Sequence, residues 1–313
     1  SYFLENNKGV FTDVTKTVWG DSTQIGMITD AKFSDKDKDG DMDLLICGDW
    51  MAPTWLINDG GHFKKANLPG LAANTGWWNT VELVDINGDG IMDILAGNAG
   101  TNNKFKANTK EPFIVFANDF DLNGNSDIVL ATEFNGKEVP VRGRECSSQQ
   151  LPYIAKEYPT YDGFAKASVQ DIIGKEKLKG SLRLELTEFR NGIFWGTADG
   201  DYKFEPFPPD AQLSPIVGFC IEDANGDGKP DVITAGNLYD TEVETTRYDA
   251  GQGMIMSYAD NTWQCHQPIE SGFYAGGNIR AFKSIKAGNK NAVLAARGNG
   301  PLSIYEFGAA AVN

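Results

Sequence analysis

Asp35-Lys-Asp37-Lys-Asp39-Gly40-Asp41-Met-Asp43 sets carboxylates at positions 1, 3, 5 and 9 around a glycine at position 6. Alternate carboxylates converge on one point only if the backbone wraps around it, and Gly40 permits the sharp turn that a Cβ would resist. Such a loop suits a hard cation. The device recurs as Asp85-Ile-Asn87-Gly-Asp89-Gly90-Ile91-Met-Asp93, Asp119-Phe-Asp121-Leu-Asn123-Gly124-Asn125-Ser-Asp127 and Asp223-Ala-Asn225-Gly-Asp227-Gly228-Lys229-Pro-Asp231. Position 7, which offers its main-chain carbonyl in such loops, is Asp41, Ile91, Asn125 and Lys229. About four structural calcium ions are therefore expected. Magnesium is disfavoured because it demands a tighter octahedral shell and keeps its waters.

An EF-hand would close with a bidentate Glu at position 12 and would lie between helices. Position 12 is instead Ile46, Ala96, Leu130 and Thr234, and the flanks are short apolar runs such as Asn79-Thr-Val-Glu-Leu-Val and Asp231-Val-Ile-Thr-Ala. Each loop is thus the tip of a β-hairpin, its position-9 Asp opening the returning strand. First positions fall at 35, 85, 119 and 223, so the intervals are 50, 34 and 104. An interval near 50 suits one four-stranded propeller blade, by comparison with ~40–50 residues for known blades.

The expected fold is an all-β propeller of five to seven four-stranded blades in one domain over residues 1–313, with all four metal loops on one side. The short interval places the loops at 85 and 119 on two hairpins of a single blade. The interval of 104 then covers two blades, the second marked by Phe189-Arg-Asn-Gly-Ile-Phe-Trp and lacking a metal loop. A first blade spans about 26–66, and a last one, Asn278 to Phe307, has Ala287-Gly-Asn-Lys-Asn291 where carboxylates would stand. Pairing of the N-terminal hairpin (Phe3 to Val14) with the C-terminal segment would close the ring and remove exposed edges. Residues 143–178 read as a helical insertion. There Thr160 is the N-cap, Ala165, Val169, Ile172 and Ile173 form an apolar stripe, and Gly174 is the stop; a shorter helix is expected over 150–157.

A formal charge of −15 argues against binding to nucleic acid or an anionic membrane, since both need clustered Lys and Arg. Four divalent cations would cancel about half of it. No apolar run is long enough to span a bilayer, and the opening Ser1-Tyr-Phe-Leu lacks the regions of a signal peptide, as it would also after cleavage of one. Cys47, Cys146, Cys220 and Cys265 form no C-x-x-C pair, which leaves two disulfides or none open. The two histidines, His62 and His266, lack a second histidine at ligand spacing and are expected to be structural or on the surface.

The loops resemble the FG-GAP or VCBS repeats of integrin α-chain heads and of many secreted bacterial proteins, whose fold is a propeller with calcium in its hairpin loops. Gly97-Asn-Ala-Gly-Thr-Asn-Asn103, Leu151-Pro-Tyr, Pro209-Asp-Ala-Gln-Leu-Ser-Pro215, Gly236-Asn-Leu and Arg247-Tyr-Asp-Ala-Gly251 further resemble the ASPIC/UnbV group, which includes relatives of cartilage acidic protein. That resemblance implies an exported, periplasmic, cell-surface or secreted propeller with a binding or adhesive role, usually within a longer polypeptide. A monomer is expected.

With metals on one face, ligands are expected on the other, where the longer loops hold Trp50, Trp77, Trp78, Asn98, Asn102, Asn237, Arg247, Asp249 and Arg280. Tryptophan beside amides, Asp and Arg suits a glycan, and the arginines suit a protein surface. The competing reading makes Trp77 and Trp78 core aromatics. A polysaccharide lyase or glycosidase would need two carboxylates at a fixed separation, and nothing in the sequence pairs Asp49, Glu145, Glu185, Glu242 or Asp249.

Overall fold

The structure, a computed structural model, describes residues 2–20, 24–242, 244–288 and 290–307. They are mostly β-structure arranged in antiparallel sheets, and they divide into two compact units, Ser1–Lys104 with Phe189–Asn313, and Phe105–Glu188.

The larger unit opens with a hairpin of β1 (Leu4–Asn7) and β2 (Val10–Asp13). Strands β3 (Met27–Ser34), β4 (Asp43–Met51), β5 (Thr54–Asp59) and β6 (His62–Lys65) follow as the first sheet, within the expected span of 26–66, and β7 (Gly76–Trp77) adds to the end of β4. Strands β8 (Thr80–Val84) and β9 (Asp93–Gly97) begin the second sheet. The chain then leaves that sheet to build the smaller unit, which contains β10 (Phe113–Asn118), β11 (Asp127–Phe134), β12 (Lys137–Pro140) and β13 (Leu182–Leu186) in the order β12-β11-β10-β13. It returns as β14 (Gly192–Gly196) and β15 (Tyr202–Pro206), giving a second sheet of order β15-β14-β9-β8 in which Ile193 stands opposite Leu95. The third sheet is β16 (Gly218–Glu222), β17 (Asp231–Ala235), β18 (Met254–Ala259) and β19 (Thr262–His266). The fourth is β20 (Ile279–Ala287), β21 (Lys290–Arg297) and β22 (Ser303–Glu306).

This topology corrects the sequence reading at three places. The loops at 85 and 119 do not share a sheet, because β9 takes β14 as its partner and β10 takes β13. The segment from Phe189 is therefore the second half of the sheet begun at Thr80, and the span of residues without a metal loop is not a separate blade. The described N-terminal hairpin pairs only with itself, its Phe3 ring packing on Trp19 and Phe63 beside the first sheet. The helical insertion is part of a larger one that carries its own sheet.

Second strands are the most buried, β9 and β17 having no exposed residue. Such continuous apolar runs suit strands covered on both faces. In the larger unit the covering is supplied by neighbouring sheets. One core joins the first and second sheets through Trp55, Trp78 and Phe194; another joins the second and third through Leu95, Phe219 and Trp263; a third joins the third and fourth through Ile233, Phe282 and Val293. Their first strands lie side by side. Asp30 accepts hydrogen bonds from Thr80 Oγ1 and Val81 N, while Lys32 meets Glu82, so β3 and β8 advance together. Asn79 reaches the Ile216 carbonyl at the head of β16. Gly218 abuts Phe282, and Glu222 accepts from Asn291, the register partner of Lys286, which carries the direction on to β20.

In the smaller unit, helices at Arg144–Gln150, Tyr153–Glu157, Tyr161–Ala165, Val169–Ile173 and Lys175–Lys179 pack against its sheet through Leu151, Phe164, Val169 and Ile172. Thr160 caps as expected, accepting from Gly163 N, and Gly174 ends its helix at φ +91°. The single helix expected between them is two. Ser168 and Asp171 form a reciprocal capping box that restarts the helix, so Ala165 is exposed while Phe164 and Ala167 take the buried face.

Candidate metal loops and the opposite amide network

All four acidic loops fold by one hydrogen-bond scheme. The position-1 Asp accepts from the position-6 glycine N–H at 2.8–3.1 Å, linking Asp35 to Gly40, Asp85 to Gly90, Asp119 to Gly124 and Asp223 to Gly228. Position 3 accepts from the position-5 N–H, so Asp37 holds Asp39, Asn87 holds Asp89, Asp121 holds Asn123 and Asn225 holds Asp227. Position 5 in turn accepts from position 7, which is Asp41, Ile91, Asn125 and Lys229. The position-9 carboxylates of Asp43, Asp93, Asp127 and Asp231 are buried and accept from the position-2 N–H. Two of them also hold the third strand, Asp43 through Asn58 N and Asp93 through Gly196 N. The position-6 glycines have φ between +83° and +100°, as the sharp turn requires.

Position 4 was not singled out by sequence reasoning, yet it is left-handed in every loop. Gly88 and Gly226 fill it twice, but Lys38 at φ +64° and Leu122 at φ +60° fill it elsewhere. The signal was available only as the two glycines.

A carboxylate offers about four lone-pair sites, so even Asp85, which accepts from three loop N–H groups, keeps one free. Asp35, Asp37 and Asp39 each aim an oxygen into a region 4.8 Å across, as do Asp119, Asp121 and Asp127. Asp35 Oδ1 and Asp41 Oδ1 are buried with no hydrogen-bond partner. Desolvation, followed by the neighbouring Asp39, raises the Asp37 and Asp41 pKa values, and burial pushes Asp93 up to about 6 and raises Asp231. A cation reverses that cost. An all-oxygen donor set with orphaned carboxylate oxygens fits a hard divalent ion, and it lacks the nitrogen and sulfur ligands of a zinc site.

At the other end of the same sheets, three of the nine candidate ligand residues are structural. Trp78 is fully buried, its indole N–H donating to the Asn74 carbonyl and its ring edge-on to Phe194 and Phe204. Asn98 accepts from Trp77 N and Ala99 N. Asn237 Nδ2 donates to the Gly251 and Gly277 carbonyls, while its Oδ1 accepts from Gly251 N. The six others reach solvent. Trp50 and Trp77 meet edge to face at 5.7 Å, Asn102 donates to the Leu213 carbonyl, Arg247 lies over Tyr239 and beside Asp249, and Arg280 pairs with Asp240. Trp50, at φ +58° on a bulge of β4, is an uncommon left-handed aromatic.

Sequence reasoning missed the amides that complete this end. Asn191 is buried, donates to the Ala211 and Ser214 carbonyls and accepts from Asn98 N. Gln212 is buried too; it donates to the Asn191 and Phe207 carbonyls and accepts from Asn191 N. Their sequence surroundings, Arg190-Asn191-Gly192 and Asp210-Ala-Gln212-Leu, read as polar turns and carry no cue to burial.

Among the described residues no hydrogen bond or ion pair joins two of the candidate catalytic carboxylates. Glu145 takes Arg144 and the Tyr161 hydroxyl, Glu185 takes Arg183, Glu242 takes Lys104 and Thr245, and Asp249 takes Arg247. Asp49 is half-buried, and desolvation raises its pKa. All four cysteines are free thiols, with burial pushing Cys47 up to about 12 and Cys220 and Cys265 up to about 11.

Residues 35–96, which hold the first two acidic loops, match the model of an FG-GAP-like repeat. Among curated proteins none matches the chain. No helix of the described residues is long and apolar enough to cross a membrane.

Proposed function

We propose that this chain is a calcium-stabilised extracellular binding or adhesion propeller. FG-GAP repeats occur in extracellular binding and adhesion proteins, and the repeat match lies on the acidic loops themselves. Face-to-face sheets with side-by-side first strands are read as blades, and the ASPIC/UnbV group is the finer family assignment we favour. The observation that carries the calcium assignment is the shared hydrogen-bond scheme. In the loops at 35 and 119 it brings three carboxylate oxygens together, and it leaves Asp35 Oδ1 and Asp41 Oδ1 without a partner. Calcium is structural in this reading, and the ligand is a glycan or a protein surface met by loops such as those bearing Trp50, Trp77, Arg247 and Arg280.

Calorimetry tests the metal role. An ion present at 100 times its Kd stabilises by about 2.7 kcal/mol per site, so four sites contribute on the order of 10 kcal/mol. Chelator is expected to lower the melting temperature by more than about 10 °C, and calcium to restore it better than magnesium. Elemental analysis should find about four calcium ions per chain. A melting curve indifferent to chelator, with no bound calcium, rules the reading out.

A further inference from the structure

The first three sheets of the larger unit each have a run of four strands, whereas the described residues give the fourth only three. Among the described residues an open cleft of 560 Å³ lies between the third and fourth sheets, bordered at one end by Asn225 and Asp227 of the metal loop. Its size lies within the about 300–1,000 Å³ usual for ligand clefts.

The two walls differ in chemistry. One is aromatic, formed by Tyr305 and Phe307 and backed by Phe273, which meets the Tyr305 ring edge to face at 4.9 Å. The other is polar, formed by Ser257, Gln264 and His266 on β18 and β19, with a 2.7 Å hydrogen bond joining Ser257 Oγ and His266 Nε2. An apolar gap alone would be no more than missing packing. An aromatic wall facing a row of groups that both donate and accept matches a ligand with a C–H face on one side and hydroxyls on the other. The charges at the rim are mixed, Lys229 standing with Asp227 and Glu306, so they select no ion of one sign.

We propose that this cleft binds a neutral saccharide. The ring stacks on Tyr305 and Phe307, and its hydroxyls take Gln264 and the Ser257–His266 pair. The inference rests on reading the chain as a binding protein, but it places a glycan site away from the loops of Trp50 and Trp77.

Titration calorimetry of the full chain in calcium, using maltotriose, cellotriose and tri-N-acetylchitotriose as probes, tests it. At least one is expected to bind at a single site. Gln264→Ala, which truncates an exposed side chain, and Phe307→Ala should each weaken that binding by about tenfold or more. Lys64→Ala, on exposed β6 of the first sheet, should leave it unchanged. Failure of all three sugars to bind overturns the proposal, as does binding that survives both cleft variants. Binding abolished by Lys64→Ala also overturns it, while leaving the reading as a binding protein intact. Calcium dependence of the melting temperature bears on that broader reading alone, so the two can fail separately.

Discussion

The two ends of the sheets in the larger unit solve the same problem with opposite chemistry. At the acidic end, backbone N–H groups of the hairpin turns are taken up by carboxylates, as when Asp93 accepts from Ile86 N and Gly196 N. At the other end, backbone groups are taken up by amides, as when Asn191 both donates to the Ala211 carbonyl and accepts from Asn98 N. A carboxylate only accepts, and several together repel, so the acidic end is left with surplus negative charge that wants a cation. An amide donates and accepts without charge and needs nothing further. In the reading proposed above, one end is conditional on metal and the other is self-sufficient.

The comparison breaks most directly at Asn191. Asn191→Asp would place an anion against two carbonyl oxygens in a fully buried site and lose both donated hydrogen bonds. A cost of about 3–5 kcal/mol is expected, as for a buried charge stripped of its partner. It should be the same with calcium and with chelator, read as a shift in denaturant midpoint at constant slope. A cost that appears in only one of the two buffers would show that the ends are not independent.

The next largest effect is the pH response of the chelated protein. Burial raises Asp93 in the folded state to about 6, against roughly 4 in the unfolded chain. Between those values the folded state binds the extra proton, so stability falls as pH rises through this window. The upper bound is about 3 kcal/mol from a shift of roughly two units. Asp231, Asp37 and Asp41 are displaced the same way. Chelated protein should therefore melt higher at pH 4.5 than at pH 7, with calcium reversing the order. Equal or higher stability at pH 7 in chelator would contradict the burial of these carboxylates without a counter-charge.

Asp37→Asn sharpens the same contrast by changing sign. It mimics the asparagine at position 3 of the loops at 85 and 223, so it keeps the turn while removing a charge. In chelator it should raise the melting temperature, and in limiting calcium lower it. Loss of stability in both buffers would mean that Asp37 holds the turn for reasons other than metal.

What could be read from the sequence follows the same division. The acidic loops were legible because their chemistry is local: carboxylate and glycine spacing within nine residues defines the turn, and the flanking apolar runs define the strands. The first sheet was legible for the same reason, its four strands being consecutive between Met27 and Lys65. The partner of β9 was not, because Leu95 pairs with Ile193 across the whole inserted unit, and a period of two carries no information about which strand lies alongside. Trp77 and Trp78 were inseparable for a related reason. Adjacent residues of an extended chain point to opposite faces, and only the pairing of Gly76 and Trp77 with β4 decides that Trp78 turns inward. Asn98 and Asn237 read as ligand residues in the sequence because an asparagine that binds backbone and one that binds a sugar look alike until their partners are placed.

The smallest expected effect lies in the loop at Asp119, where the scheme is met with an unsuitable residue. Leu122 occupies the left-handed position 4 at φ +60° although it carries a Cβ and is largely exposed, so its side chain gains little from burial to offset the strain. Glycine fills the same position at 88 and 226. Asparagine tolerates this conformation while retaining a side chain that limits the freedom of the unfolded chain. Leu122→Asn should stabilise the smaller unit by about 0.5–1 kcal/mol. Hydrogen exchange at Phe120 and Asp127, whose amide and carboxylate close the loop, would report it as slower opening in chelator as well as in calcium, because the gain belongs to the backbone and not to the ion. A gain confined to calcium would instead place the strain in the metal-bound geometry, and no gain at all would mean that the turn relaxes around leucine without cost.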